Sequence, residues 1–280
     1  MNQNKNYPMD DQPLVSVLMT AYNREKYIRD AVESVLASSY NNFELIIVDD
    51  GSSDSTVPIA REFAAKDPRV KVFINEHNLG DYPNRNQAAS HARGKYIKYL
   101  DSDDMIYPYG LEAFVNFMEQ NEDAAMGICY KKNISHQPFP LVMKPSESLR
   151  YHFFKDSFLD CGPTGTIIRR DRFQQLGGFS GKRMIGDLEF GLKVAARHTI
   201  MLLPPALAFW RSHGDQEFVI GIKNDMYSSM YETVLTEQFR DITDTVLTSE
   251  ERDGIFRQLS RSARIAGAKK FIKKILYFRK

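Results

Sequence analysis

Short apolar runs alternate with amphipathic stretches through the first half of the chain. Residues 14–19 (LVSVLM), 43–49 (FELIIVD), 70–74 and 95–100 (KYIKYL) read as strands, and 124–130 as a fifth. Between them, residues 25–38, 54–65, 84–92 and 109–120 follow helical patterns. Short strands separated by helices predict βαβ units and a mostly parallel sheet. Residues 131–160, with Pro138, Pro140 and Pro145, break the alternation and predict loops and one helix. Strands are expected again at 164–169 and 199–203, with a helix over 186–196, and from about residue 225 the pattern is helical. The predicted organisation is a polar tail (1–13), an α/β domain (14–224) and a helical extension (225–280).

Parallel α/β sheets bind ligands beyond the carboxyl ends of their strands. The loops expected there, 20–24, 49–54 and 101–104, hold the most polar chemistry of the chain. In Asp49-Asp50-Gly51-Ser52-Ser53-Asp54, carboxylates at a strand end can accept hydrogen bonds from a ribose or a base, while Ser52, Ser53 or Asp54 can cap the next helix. An ordinary turn with a cap fits equally well. Asp101-Ser102-Asp103-Asp104 sets three carboxylates in four residues, which repel unless a cation holds them. Hard oxygen ligands suit Mg²⁺ or Mn²⁺, and a solvated acidic turn is the alternative. Gly186-Asp187-Leu188-Glu189-Phe190 opens a helix: Asp187 fits an N-cap and Glu189 the first turn, and the functional alternative makes Asp187 a general base. In Trp210-Arg211-Ser212-His213, Arg211 and His213 could serve a phosphate or a metal.

Composition narrows the class. The 280 residues are 42% hydrophobic and 26% charged, which argues against a disordered, collagenous or coiled-coil chain. Cys129 and Cys161 make neither a disulfide framework nor a zinc pattern, so a reduced compartment is expected. The polar N-terminus lacks a signal-like apolar core, and the most apolar run, 200–210, is about half the ~20 residues a membrane span needs. A cytoplasmic protein is therefore expected. A net charge of +1 argues against general nucleic-acid binding.

That net charge is a cancellation. Residues 255–280 hold nine of the 37 basic residues and none of the 36 acids, so the first 254 residues carry 28 bases against 36 acids. On a helix, Ile265, Ala268, Phe271, Ile272, Ile275, Leu276 and Phe278 share one face. Lys269, Lys270, Lys273, Lys274 and Lys280 take the other, with Arg279 the exception on the apolar side. Docking on an anionic membrane surface, at the inner face of the cell membrane, is one reading; packing on the domain with a solvated basic back is the other.

The run VSVLMTAYNREKYIRDAVESVLASSYNNFELIIVDDGSSDST (15–56), then GKYIKYLDSDD (94–104), LGGF (176–179), GDLEF (186–190) and WRSH (210–213), resembles family 2 glycosyltransferases of the GT-A fold in order and spacing. The resemblance covers roughly residues 14–213. It implies an inverting transfer of a sugar, hexosyl or N-acetylhexosaminyl, from a nucleotide-diphosphate sugar, in particular a UDP-sugar. The implied acceptor is a glycan or lipid-linked glycan in cell-surface polysaccharide biosynthesis. Position by position, Thr20 and Tyr22 match residues lining the base, Asp50 the acid that reads it, and Arg85 a base- or phosphate-contacting residue. Asp101, with Ser102 beside it, matches the ribose-side acid of the DxD signature, and Asp103 the acid holding the divalent cation, Mn²⁺ or Mg²⁺. Asp187 matches the catalytic base. His213 matches a histidine near the diphosphate and metal, with Arg211 able to join the same clamp. Two positions depart from the pattern: Gly186 stands where glutamate usually precedes the base, and Trp210 where tyrosine is common. The loop 161–165 matches an acceptor-side loop loosely. A sugar nucleotidyltransferase would show a glycine-rich loop after the first strand, and Thr20-Ala21-Tyr22-Asn23 has no glycine. A non-catalytic sugar-nucleotide-binding module would lack the base or the metal acid.

Overall fold

The computed structural model describes residues 12–130, 138–214, 216 and 246–257. Strands β1 (Val15–Ala21), β2 (Phe43–Asp49), β3 (Val70–Ile74) and β4 (Tyr96–Tyr99) alternate with helices α1 (Ile28–Leu36), α2 (Thr56–Lys66) and α3 (Asp81–Ser90). After β4 come β5 (Met105–Ile106), α4 (Gly110–Gln120), β6 (Ala124–Cys129), β7 (Leu141–Met143) and α5 (Pro145–Phe154). A 3-10 turn (Pro163–Gly165) then leads into β8 (Thr166–Arg169), α6 (Arg170–Gln175), α7 (Gly186–Arg197), β9 (Thr199–Leu203) and β10 (Ala208–Phe209). Residues 249–257 are helical. The remainder of the predicted extension, with the lysine-rich face, lies outside the described residues. Among the described residues no helix is long and apolar enough to cross a membrane.

Eight strands form one sheet in the order β3-β2-β1-β4-β8-β6-β9-β7, and β5 pairs with β10 beside it. β3, β2, β1 and β4 run parallel, as the βαβ pattern requires. β8 runs against both β4 and β6, and β7 against β9. Both faces of the centre are covered, so β2 buries all seven of its residues. Alternate side chains serve two cores. Leu18, Ile46 and Val48 pack with α3 and α7 residues such as Ala88 and Leu188. Val17, Met19, Leu45 and Ile47 pack with Ile28 of α1 and Phe114 of α4.

The order β2-β1-β4 decides where chemistry can gather. β1 pairs in register with both neighbours, Val15 opposite Phe43 and opposite Tyr96. Neighbouring strands lie ~4.8 Å apart, so the loops after β2 and β4 stand about 10 Å apart across the end of β1, the length of a nucleoside. Antiparallel β8 brings its N-terminal end to the carboxyl end of β4, with Lys98 opposite Ile167. The turn at 163–165 is thereby set against the acidic loop.

Candidate active site

Asp49 and Asp50 divide the work of the first loop. Asp49 Oδ1 accepts the N–H groups of Gly51 (3.1 Å) and Ser52 (2.8 Å) and shapes the turn. Asp50, 3% exposed, accepts Asn75 Nδ2 (2.7 Å), Leu79 N (2.9 Å) and Gly80 N (2.9 Å). Gly80 has φ +87°, a conformation other residues rarely adopt, and from it α3 starts. A carboxylate offers about four lone-pair sites, so three accepted bonds leave Asp50 room for one more donor. Thr20 is half-buried in β1, and Tyr22, just past the strand, is 48% exposed. Both stand between the Asp50 and Asp101 loops because β1 does.

The second loop follows β4. One carboxylate oxygen from each of Asp101, Asp103 and Asp104 falls within 4.8 Å of the others, and Ser102 is buried between them. Each acid has a different partner. Asp101 Oδ1 accepts Arg85 Nη1 (2.7 Å) from α3, and Arg85 also pairs with Asp81 (2.8 Å). Burial works against the Arg85 cation, but Asp101 and Asp81 hold it charged, with its pKa well above the ordinary value. Asp103 Oδ2 lies 3.3 Å from Arg24 Nε and 3.1 Å from His213 Nε2. Asp104 accepts the Thr164 hydroxyl (2.7 Å) and the Arg211 N–H (2.9 Å). Burial, and then the Asp101 charge, push its carboxyl up to about 7.

Residues 211–213 close over this loop. Arg211 Nε donates to the Asp103 carbonyl (3.0 Å) and Nη2 to Asp30 (2.9 Å). His213 stacks on Tyr27 at 4.3 Å between centroids. Trp210 packs against the 163–165 turn: a Cβ on Gly165 would stand 3.0 Å from its ring. The aromatic that departs from the family pattern is thus a packing group.

Beneath the acids, Lys98 and Thr164 form a knot absent from the sequence reading. Lys98 is fully buried, and its Nζ donates to the carbonyls of Tyr99 (2.6 Å) and Thr164 (2.5 Å). Burial pulls this amine down to about 8. The Thr164 hydroxyl also accepts the Asp101 N–H (3.0 Å), so one residue joins the acidic loop to the 163–165 turn.

Asp187 lies on the other side of that turn. It lines a small open cavity with Leu159, Cys161, Gly162 and Pro163, among others. The sequence reading that made it a helix cap is corrected: the N-cap is Ile185, and Asp187 sits within the first turn because Gly186 already starts the helix. Glu189 lies in the first turn as expected, and there it is buried, bonded to the Ser180 hydroxyl and to Lys193 (3.2 Å). Asp187 Oδ1 accepts the Tyr82 hydroxyl (2.9 Å) and the Leu188 N–H (2.9 Å). Burial pushes its carboxyl up to about 6, against these two bonds, which hold the ionised form. Tyr82 and Arg85 stand on one turn of α3, so a single helical turn reaches Asp187 through one side chain and Asp101 through the other.

Among known structures, S. aureus TarS 1-349 in complex with UDP-GlcNAc matches with a TM-score of 0.67 at 21% identity, over 88% of this chain and 71% of that one. Mannosyltransferase PcManGT from Pyrobaculum calidifontis, in complex with GDP-Man and Mn2+, matches with a TM-score of 0.62 at 16% identity, over 80% and 66%. The architecture is that of the GT-A transferases, as the sequence resemblance implied. Glycosyl transferase family 2 matches residues 16–177, more than half of the chain, which belongs to that family. An uncharacterized glycosyltransferase of Haemophilus influenzae is 44% identical over 111 residues, 40% of this chain and 44% of that protein. The putative teichuronic acid biosynthesis glycosyltransferase TuaG of Bacillus subtilis is 42% identical over 152 residues, 54% and 60% respectively. The chain therefore spans about half the length of these relatives.

Proposed function

We propose that the protein is an inverting glycosyltransferase that moves a sugar from a UDP-sugar to a hydroxyl of a glycan or lipid-linked glycan. The observation that carries this is the pairing of two carboxylate stations through one turn of α3. One is the acidic loop at 101–104, and the other is Asp187 beside the cavity. Asp50 reads the base with its remaining lone pair, Thr20 and Tyr22 flank the base, and Asp101 with Arg85 orients the ribose and diphosphate end. Family membership and the naming of relatives such as TuaG support the polysaccharide setting.

Asp187, ionised above about pH 6, takes the proton of the acceptor hydroxyl. The acceptor oxygen forms its bond to the anomeric carbon as the bond to the diphosphate oxygen breaks on the opposite face. The centre inverts, UDP leaves, and no covalent enzyme intermediate is needed. Arg211 and His213, both held against Asp103, would offset the charge of the departing diphosphate.

A divalent cation fits the donor set. Three clustered carboxylates and an imidazole are suitable ligands for Mn²⁺ or Mg²⁺, and a cation would offset both the burial and the Asp101 charge that push Asp104 up. Asp103 and His213 would hold it, with Asp101 adjacent. When bound, it would neutralise charge on the departing diphosphate.

A screen of UDP-, GDP- and dTDP-sugars with Mn²⁺, read by nucleotide release, tests the class. Asp187→Asn should lower turnover by about 10²–10⁴ while UDP affinity stays within about twofold. Turnover at the wild-type rate in that variant would remove Asp187 from the role.

A further inference from the structure

Helix α7 begins with a glycine, and the reason lies in α3. A Cβ on Gly186 would stand 2.7 Å from Cγ and Cδ1 of Tyr82 and 2.8 Å from Cδ2, closer than real contacts allow. The Tyr82 ring occupies the space any side chain at 186 would need. It is 4% exposed and packs against Phe179 at 5.1 Å between centroids. From this seat its hydroxyl reaches Asp187 Oδ1 at 2.9 Å. The Leu188 N–H takes the same oxygen, which leaves Oδ2 for an incoming hydroxyl.

We propose that Tyr82 is a positioning residue for the base: its ring, seated on Gly186, aims and holds the Asp187 carboxylate so that one oxygen is fixed and the other faces substrate. This rests on the reading of Asp187 as base. It also accounts for the missing glutamate before Asp187, because glycine at 186 is the condition for the tyrosine to reach its partner. Among the described residues, the charged and titratable groups around Asp187 are few. α3 supplies Tyr82, Asp81 and Arg85, and the cavity wall supplies Cys161. Burial, then Asp187 and Asp81, raise the Tyr82 hydroxyl well above its ordinary pKa, so it stays a donor throughout the working range.

The test is the pH profile of kcat/KM for UDP release from the UDP-sugar that the screen shows to be turned over fastest. A hydrogen bond to the ionised form keeps a carboxyl pKa down, so losing it moves the acid limb to higher pH. Tyr82→Phe should raise that limb by about one pH unit, which is a loss of roughly fivefold at pH 6 that vanishes by pH 8.5. UDP affinity by calorimetry should not change. Gly186→Ala should move the limb in the same direction by displacing the ring, and should add nothing in the Tyr82→Phe background. An unmoved acid limb, or a loss equal at every pH, would overturn the proposal, as would additive shifts in the double variant. If Asp187→Asn is inactive and Tyr82→Phe keeps the wild-type profile, the tyrosine alone fails. If Asp187→Asn keeps its turnover, the base reading fails first.

Discussion

Thr164→Val removes one hydroxyl and almost no volume, yet it cuts the knot beneath the acids. Two hydrogen bonds go at once: the one from the Asp101 N–H and the one to Asp104 Oδ2. Thr164 is fully buried, so water does not replace them easily. A bared buried donor costs about 1–3 kcal/mol, and a lost bond to a carboxylate about 1.5–3 kcal/mol. Asp104 has an escape, because a carboxyl already at about 7 takes up a proton when its donor disappears, which caps its share. The net expectation is about 2–4 kcal/mol, or a fall in Tm of roughly 5–15 °C for a chain of this size. Thr164→Ser keeps the hydroxyl and should cost only about 1 kcal/mol for its lost methyl. Thermal unfolding at pH 7.5 and pH 5.5 separates the terms. At the lower pH Asp104 is protonated in both proteins, so the gap between valine variant and wild type should narrow. A valine variant melting within about 1 °C of wild type at both pH values would refute the network.

Asp103→Ala should abolish the Mn²⁺ dependence of UDP binding; equal UDP affinity with and without Mn²⁺ in the wild type would defeat the metal assignment. Lys98→Met tests the buried amine. The folded pKa is about 8 against an ordinary 10.5, so between these values the unfolded chain holds a proton that the folded one has released. Wild type should therefore gain stability relative to the methionine variant as pH rises from 8 to 10.5, and a constant difference would show that the amine is not buried. Flotation with vesicles of anionic and neutral lipid tests the basic tail. Binding that needs residues 255–280 and anionic lipid supports membrane docking, and equal binding to both vesicles removes its electrostatic basis.

Most of the strands that sequence made legible are covered on both faces, where burial leaves a largely apolar run; β3, with one buried residue, was legible as well. β1, β2, β4, β6 and β9 all have this signature. β7 has three residues and one buried side chain, so no run marks it. The two-residue pair β5 and β10, which the strand patterns also missed, exists only through pairing between segments about 100 residues apart. Helix α5 was readable only as one helix somewhere in an irregular stretch, since Ser148 and His152 are buried where apolar residues would signal a face. The acids were legible because acidic loops after apolar strands are conspicuous. Their partners were not: Tyr82 meets Asp187 across 105 positions, and Thr164 meets Asp104 across 60. Arg24 follows β1 in an unremarkable polar loop, and only folding sets it on Asp103. Lys98 sits in a strand that sequence predicts, and nothing local shows that two carbonyls await its amine.

The reversed strand β8 has a consequence for how such a protein can change. At the carboxyl edge the chain leaves the sheet from β1, β2 and β4, but at β8 it arrives there. The wall of the cavity at 159–163 is therefore built by sequence upstream of β8, whereas the acids are fixed by strands already complete by residue 100. A segment from the 138–162 region of a relative could be exchanged without disturbing the register that holds Asp50 and Asp101. Such a graft should end before residue 163, because from Thr164 onward the incoming chain is tied to the acidic loop itself. The fold thus keeps one end of its site open to recombination while the other stays fixed.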